Sequence, residues 1–207
     1  MKQSIIITLL LLATGSPAQD TIIAVHSAKV SPNARVEINL EGSIMLENWD
    51  SQSLEIRLSV ISHGQVLGLS NHDERQPYDI TVEGSDSALV VNPAGRGAAW
   101  VIGVSTIRET YLHSVHIPRN VDVIVNTSEG QVMVNGSFAS LQIRNEHGKT
   151  RVNVNPSFIK FLTCETFDGK IVLDDQLQDE HYTFLGKGDL VYQIITKDGS
   201  IVVSTGG

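Results

Sequence analysis

The chain of 207 residues has a single cysteine, Cys164. That excludes an internal disulfide and leaves stability to a hydrophobic core, which this length can supply. Aromatic residues make up 5% and charged residues 18% of the chain. Only 15 Lys and Arg stand against 23 Asp and Glu, for a net charge of −8, so no large basic footprint marks a nucleic-acid partner. Alanine is scarce at 10 residues, whereas Val and Ile total 42. β-Branched side chains suit a pleated surface, so strands are expected rather than helices. Gly and Pro, at 17 and 6 residues, are too few for a collagen-like or low-complexity chain.

One long apolar run is present, and it is at the start. Lys2 precedes Ile5-Ile-Ile-Thr-Leu-Leu-Leu-Leu-Ala13, followed by Gly15 and Pro17, with the small residues Ser16 and Ala18. This is the layout of a secretory signal peptide over residues 1–18, cut after Ala18. The run is too short to cross a hydrocarbon core of about 30 Å as a helix. No later segment looks transmembrane, so no membrane span is expected after cleavage. Residues 19–207 then form one exported domain, periplasmic, surface-held or extracellular.

A recurring unit fills the second half. Polar turns end in Gly130, Gly148, Gly169 and Gly199, each followed by alternating residues such as Gln131-Val-Met-Val and Lys170-Ile-Val-Leu. Two and four residues after each Gly stand Val132/Val134, Thr150/Val152, Ile171/Leu173 and Ile201/Val203. Five and seven residues before it stand Val125/Val123, Ile143/Leu141, Cys164/Leu162 and Ile194/Tyr192. Shared parity puts all of them on one face of a strand. Each unit is therefore strand, Gly turn, strand with one inward face, and stacking buries what one unit cannot. The architecture expected is an all-β, single-domain β-solenoid. Gly169 is expected at positive φ, Thr or Asn three residues before each Gly should bond local backbone groups, and Cys164 is read as a small buried hydrophobe.

The first half is less regular, so residues 19–105 are read as an irregular N-terminal part and 106–207 as the regular repeats. Ile44 and Leu46 keep the offsets from Gly42, but Val36, Ile38 and Leu40 slip by one; a bulge or a different connection is expected. Leu54-Glu-Ile-Arg-Leu-Ser-Val is a further alternating strand. Gly68–Pro77 reads as a polar loop and Asn92–Gly97 as a glycine turn. The last strand, Ser200-Ile-Val-Val-Ser, is expected to form the uncovered end of the stack and to invite weak self-association.

Gly42-Ser-Ile-Met-Leu-Glu-Asn-Trp49-Asp50, Val115-His-Ile-Pro118-Arg-Asn and the later Thr/Asn-x-x-Gly units carry a resemblance to the bacterial putative-adhesin family of unknown function. It spans approximately residues 34–207. The resemblance implies a β-solenoid-like fold in the envelope or outside the cell and supplies no catalytic residues.

The chemistry in reach is modest. His113 and His116 are three apart in a strand, so they face opposite ways and cannot chelate one metal; a surface or turn role is expected for both. His63, His72, His147 and His181 sit in loop-like surroundings. Asp174-Asp-Gln-Leu-Gln-Asp-Glu180 offers oxygen ligands for calcium or is a solvated loop interrupting the repeat; no EF-hand spacing accompanies it. No Gly-x-Ser-x-Gly elbow, phosphate loop or His-Glu-x-x-His occurs, and no cofactor is expected. Asn126-Thr-Ser128 and Asn135-Gly-Ser137 match a glycosylation pattern that is frequent by chance, and Trp49 is read as packing on the first coil. The outward columns, Gln131, Lys149, Lys170, Ser200 and Met133, Arg151, Val172, Val202, carry three basic residues without a matching acidic set. Lys149, Arg151 and Lys170 are the candidate binding strip, for an anionic or glycan ligand at a cell surface. The function expected is non-catalytic surface binding or an envelope role; a polysaccharide lyase or hydrolase on a β-helix is the alternative. N-terminal sequencing of exported protein should begin at Gln19; a membrane-bound chain retaining Met1 would overturn the leader reading.

Overall fold

A computed structural model describes residues 19–63, 66–70, 79–94, 101–105 and 108–205, with side chains for 24–61, 79–94 and 108–205. Residues 1–18, read as a leader, His72, the side chain of His63, residues 71–77 of the stretch read as a polar loop and residues 95–97 of that read as a glycine turn lie outside the described residues. The first half supplies β1 (Gln19–Lys29), β2 (Arg35–Asn39), β3 (Ser43–Trp49), β4 (Ser53–His63), β5 (Val66–Ser70), β6 (Ile80–Ser85), β7 (Ala88–Pro93) and β8 (Val101–Ser105). Next come β9 (Arg108–Pro118), β10 (Asp122–Glu129), β11 (Val132–Asn135), β12 (Ser140–His147), β13 (Thr150–Asn153), β14 (Ile159–Thr166) and β15 (Lys170–Leu173). The last four are β16 (Gln176–Gln178), β17 (His181–Leu185), β18 (Leu190–Asp198) and β19 (Ser200–Ser204). Seventeen of these make two mixed sheets, ordered β1-β4-β9-β3-β11-β13-β19-β15-β16 and β17-β14-β18-β12-β10-β2-β7-β6; β5 and β8 pair separately. The protein is all-β.

The alternation read from the repeats is what builds the core. In the eight-stranded sheet the parallel partners Val36, Val123, Leu141, Tyr192 and Leu162 form one inward row, and Ile38, Val125, Ile143, Ile194 and Cys164 the next. In the nine-stranded sheet Ile44, Val132, Thr150, Ile201 and Ile171 align. Every one of these fifteen residues but Leu162, at 2%, is 1% exposed or less. Leu173, expected to be buried like its row-mates Val134, Val152 and Val203, is only half-buried, because its strand is the last of the parallel set. Cys164 is fully buried, as read.

The turns stack too. A Cβ on Gly130 would lie 2.4 Å from the Gly42 carbonyl oxygen, one on Gly148 1.9 Å from that of Gly130, one on Gly199 1.8 Å from that of Gly148, and one on Gly169 1.7 Å from that of Gly199. Gly148 has φ 140°, but Gly169 is not in the left-handed region. The expectation of positive φ there is corrected: glycine is required by the backbone lying against it. Beneath the column the residues three positions earlier do bond backbone carbonyls, Thr127 within its own turn as read, but Asn145 and Thr166 across to the neighbouring turn. Thr127 Oγ1 donates to the Glu129 carbonyl (2.8 Å), Asn145 Nδ2 to that of Gly130 (3.2 Å) and Thr166 Oγ1 to that of Gly199 (3.1 Å).

The structure decides one further reading and corrects two. The slip before Gly42 is no bulge and comes from the other source expected, a different connection: Val36 and Ile38 pair with Val123 and Val125, and the turn from Asn39 to Gly42 is one residue shorter than that from Asn126 to Gly130. The stretch after β15 is no open loop. Asp174 and Asp175, at φ 45° and 64°, make a tight hairpin turn into β16, the backbone such two-residue turns demand. β17 then covers the end of the other sheet antiparallel to β14. Finally, β19 is not an uncovered end. It lies between β13 and β15 and pairs with both, so the fourth repeat is inserted between two earlier ones, and the reason given for self-association goes with it.

Gly169→Ala should destabilise the fold by about 2–4 kcal/mol, because only a backbone shift can make room. Ile201→Ala should cost about 2–5 kcal/mol, and Leu173→Ala clearly less than Ile201→Ala. Urea denaturation ranks them; a Gly169→Ala variant as stable as wild type would refute the stacked-turn contact.

Candidate binding face

The outward side chains of the nine-stranded sheet fall into rows because its strands pair in register. The middle row reads Val25, Arg57, Ser114, Met45, Met133, Arg151, Val202, Val172 and Leu177 from one edge to the other. On the turn side, Ser59, Leu112 and Ser43 lead by pairing into the row of Gln131, Lys149, Ser200 and Lys170. The outward columns expected from the repeats are therefore present, in the spatial order of the strands.

Lys149 and Arg151 both lie on this face beside Gly148, two residues apart and half-buried. Lys170, exposed, is on β15 with β19 between, roughly 10 Å away at two strand spacings. The three form a strip but no closed cluster. Lys170 instead borders a shallow depression of about 510 Å³ with Asp179, Glu180 and His181. Among the described residues no three His, Cys, Asp or Glu side chains group as metal ligands.

Sequence reasoning missed a second concavity on this face. A trough of about 470 Å³ crosses β4, β9, β3 and β11. The short side chains of Ser43, Ser59 and Ser114 lie between the longer ones of Arg57, Met45, Leu112, Gln131 and Met133. Parity in Leu54–Val60 already put Arg57 and Ser59 outward, but no local signal sets β4 beside β9. On the far side lies an acidic row, where His116 pairs across the strands with both Glu47 and Glu55. Its Nε2 is 3.4 Å from Glu47 and its Nδ1 4.0 Å from Glu55. Trp49 packs as expected: its ring lies 5.4 Å from that of His116, and its indole N–H donates to the Ser53 carbonyl at 2.6 Å.

The histidines divide by environment. His113 and His116 do face opposite ways, but the surface role expected for His113 is corrected: it is 2% exposed, in the inward row with Leu58 and Ile44. Burial lowers its pKa to about 4, partly opposed by its contact with the Ser43 carbonyl. His147, at the end of β12, lies 3.0 Å from Asp198, and His181 belongs to β17 rather than to a loop. Burial pushes the Cys164 thiol up to about 12, so it carries no thiolate at neutral pH.

No family model and no curated protein matches the chain. Among solved structures it is similar to a putative cell adhesion protein from Clostridium sporogenes ATCC 15579. The two are 11% identical over 91% of this chain and 99% of that one, with a TM-score of 0.51, which shows a shared fold. It also matches a putative adhesin from Bacteroides fragilis NCTC 9343, 11% identical over 87% and 95% of the chains, TM-score 0.24. A third, from Parabacteroides distasonis ATCC 8503, is 10% identical over 89% and 97%, TM-score 0.28. At their scores these two stand as similarities only. The resemblance read from the sequence is met by the fold shared with the Clostridium protein, itself named a putative cell adhesion protein.

His113 gives the fold a pH dependence. Its folded-state pKa lies below the ordinary 6.5, so the unfolded chain binds the extra proton and stability falls as pH drops from about 6.5 towards 4. Between pH 7 and 4.5 this contribution is about 2.5 kcal/mol. Denaturation of wild type and His113→Leu at both pH values should show a smaller loss in the variant by about that amount; parallel losses would contradict it.

Proposed function

We propose that this chain is an exported β-solenoid that binds a bacterial surface or extracellular glycan without chemical turnover, an adhesin-like role in the cell envelope. The observation that carries the reading is the in-register stacking of the nine-stranded sheet, which turns single outward residues into continuous rows. Such a face offers one ligand many similar contacts on a rigid scaffold. Lys149, Arg151 and Lys170 supply its cationic strip. The leader-like residues 1–18 support export, and the cell-adhesion name of the protein sharing the fold is carried over here as part of the proposal.

A second reading has one observation in its favour. Lys170, Asp179, Glu180 and His181 around one depression are acid–base groups that a polysaccharide lyase or hydrolase would need. Sedimentation with isolated envelopes and insoluble polysaccharides decides between the two. Saturable binding is expected, weakened at least fivefold in the combined variant K149Q, R151Q and K170Q with an unchanged melting temperature. New reducing ends or unsaturated uronates, abolished by Lys170→Gln, would establish the enzyme instead; binding indifferent to the triple change would remove the strip.

A further inference from the structure

The outward face is uneven in charge as well as in shape. Glu47 and Glu55 lie on one side of the middle row, and exposed Glu41 and Glu129 precede the turn glycines on the other. Between them the trough has one cationic side chain in its lining, Arg57. Its Nε donates to Glu55 at 2.7 Å, which holds the guanidinium plane and occupies one of its five N–H groups. The guanidinium is half-exposed, and its terminal nitrogens have the planar fork that fits a carboxylate.

We propose that this trough binds a sugar residue carrying a single carboxylate, with Arg57 as the anchor for the charge and Ser59, Ser114 and Gln131 as partners for ring hydroxyls. The inference rests on the surface-binding reading above and names the ligand chemistry of that face. Each part of the lining has a counterpart in such a ligand. Hydroxyl and amide side chains donate and accept, as a polyol requires. The thioethers of Met45 and Met133 give a soft apolar wall for the C–H face of a pyranose. A volume of about 470 Å³ suits a compact polar ligand. The flanking carboxylates work against a dense polyanion, which would bring further charges beside Glu47 or Glu129, whereas one carboxylate on the terminal nitrogens of Arg57 meets only Glu55, already engaged by the Arg57 Nε.

Titration calorimetry of the purified protein against a trisaccharide ending in glucuronic acid, its neutral methyl ester and a sulfated heparin-type oligosaccharide tests this. The acid should bind at least tenfold more tightly than its ester and than the sulfated chain. Arg57→Gln should weaken it at least tenfold and Ser114→Trp, which fills the trough, should abolish it. Arg144→Gln, on the outward side of the other sheet, should leave it unchanged. Melting temperatures separate lost binding from lost folding, and Arg57→Gln alone suffices should Ser114→Trp misfold. Equal affinity for acid and ester, indifference to Arg57→Gln, or preference for the sulfated chain would overturn the proposal. Absent trisaccharide binding in a protein that still sediments with envelopes would overturn it too, while leaving surface binding intact. Absence of both would sink the reading beneath it.

Discussion

Five turns rest directly on one another, backbone on backbone, and everything else about the molecule follows from that contact. Adjacent strands in a sheet lie about 4.8 Å apart, so the turns that link the two sheets in successive layers must keep the same separation. A side chain at the contact point would be driven into the carbonyl oxygen of the neighbouring turn, and glycine avoids this at Gly130, Gly148, Gly199 and Gly169 in succession. Once the turns are superimposed the strands on both sides have no freedom of register. Inward positions become continuous apolar rows; the buried hydroxyls of Thr127 and Thr196 donate to carbonyls of their own turns, and Asn145 and Thr166 donate to a carbonyl of the neighbouring turn.

Much of this could be read in the linear chain, and the failures have physical causes. Offsets from each glycine identified the inward residues because side chains alternate with a period of two and turns of equal length keep the phase. The same rule misled before Gly42, where a turn one residue shorter shifts the count without shifting the strand. The order of the coils could not be read, since Asp168-Gly169 and Asp198-Gly199 make turns of the same chemistry and either could neighbour Gly148. Asp174-Asp175 looked like an acidic loop, yet a pair of aspartates flanked by Leu173 and Gln176 is also a tight-hairpin signal. His113 could have been assigned to the core, because it alternates in phase with Tyr111, Val115 and Ile117.

The outward face was legible only where the repeats reach it. Lys149, Arg151 and Lys170 lie in units with a common grammar, so their row could be assembled by counting. The trough draws on β4 and β9, which join the stack by antiparallel pairing between strands some fifty residues apart. Nothing local encodes that partnership; it follows from Leu54, Ile56 and Leu58 burying against the same core as the repeats. A concavity formed by short serines beside longer neighbours is a property of the assembled sheet, not of any one segment.

The placement of β18 and β19 separates this molecule from an array that could grow one layer at a time. Until these two strands arrive, the layers containing β12/β13 and β14/β15 have no direct hydrogen-bonded contact with each other, and the facing edges of all four strands lack partners. A unit synthesised after both of its neighbours is thus a keystone. A chain cut short before β18 loses the middle of both sheets instead of a dispensable end layer, and its hairpin-covered layer is left as a detached flap.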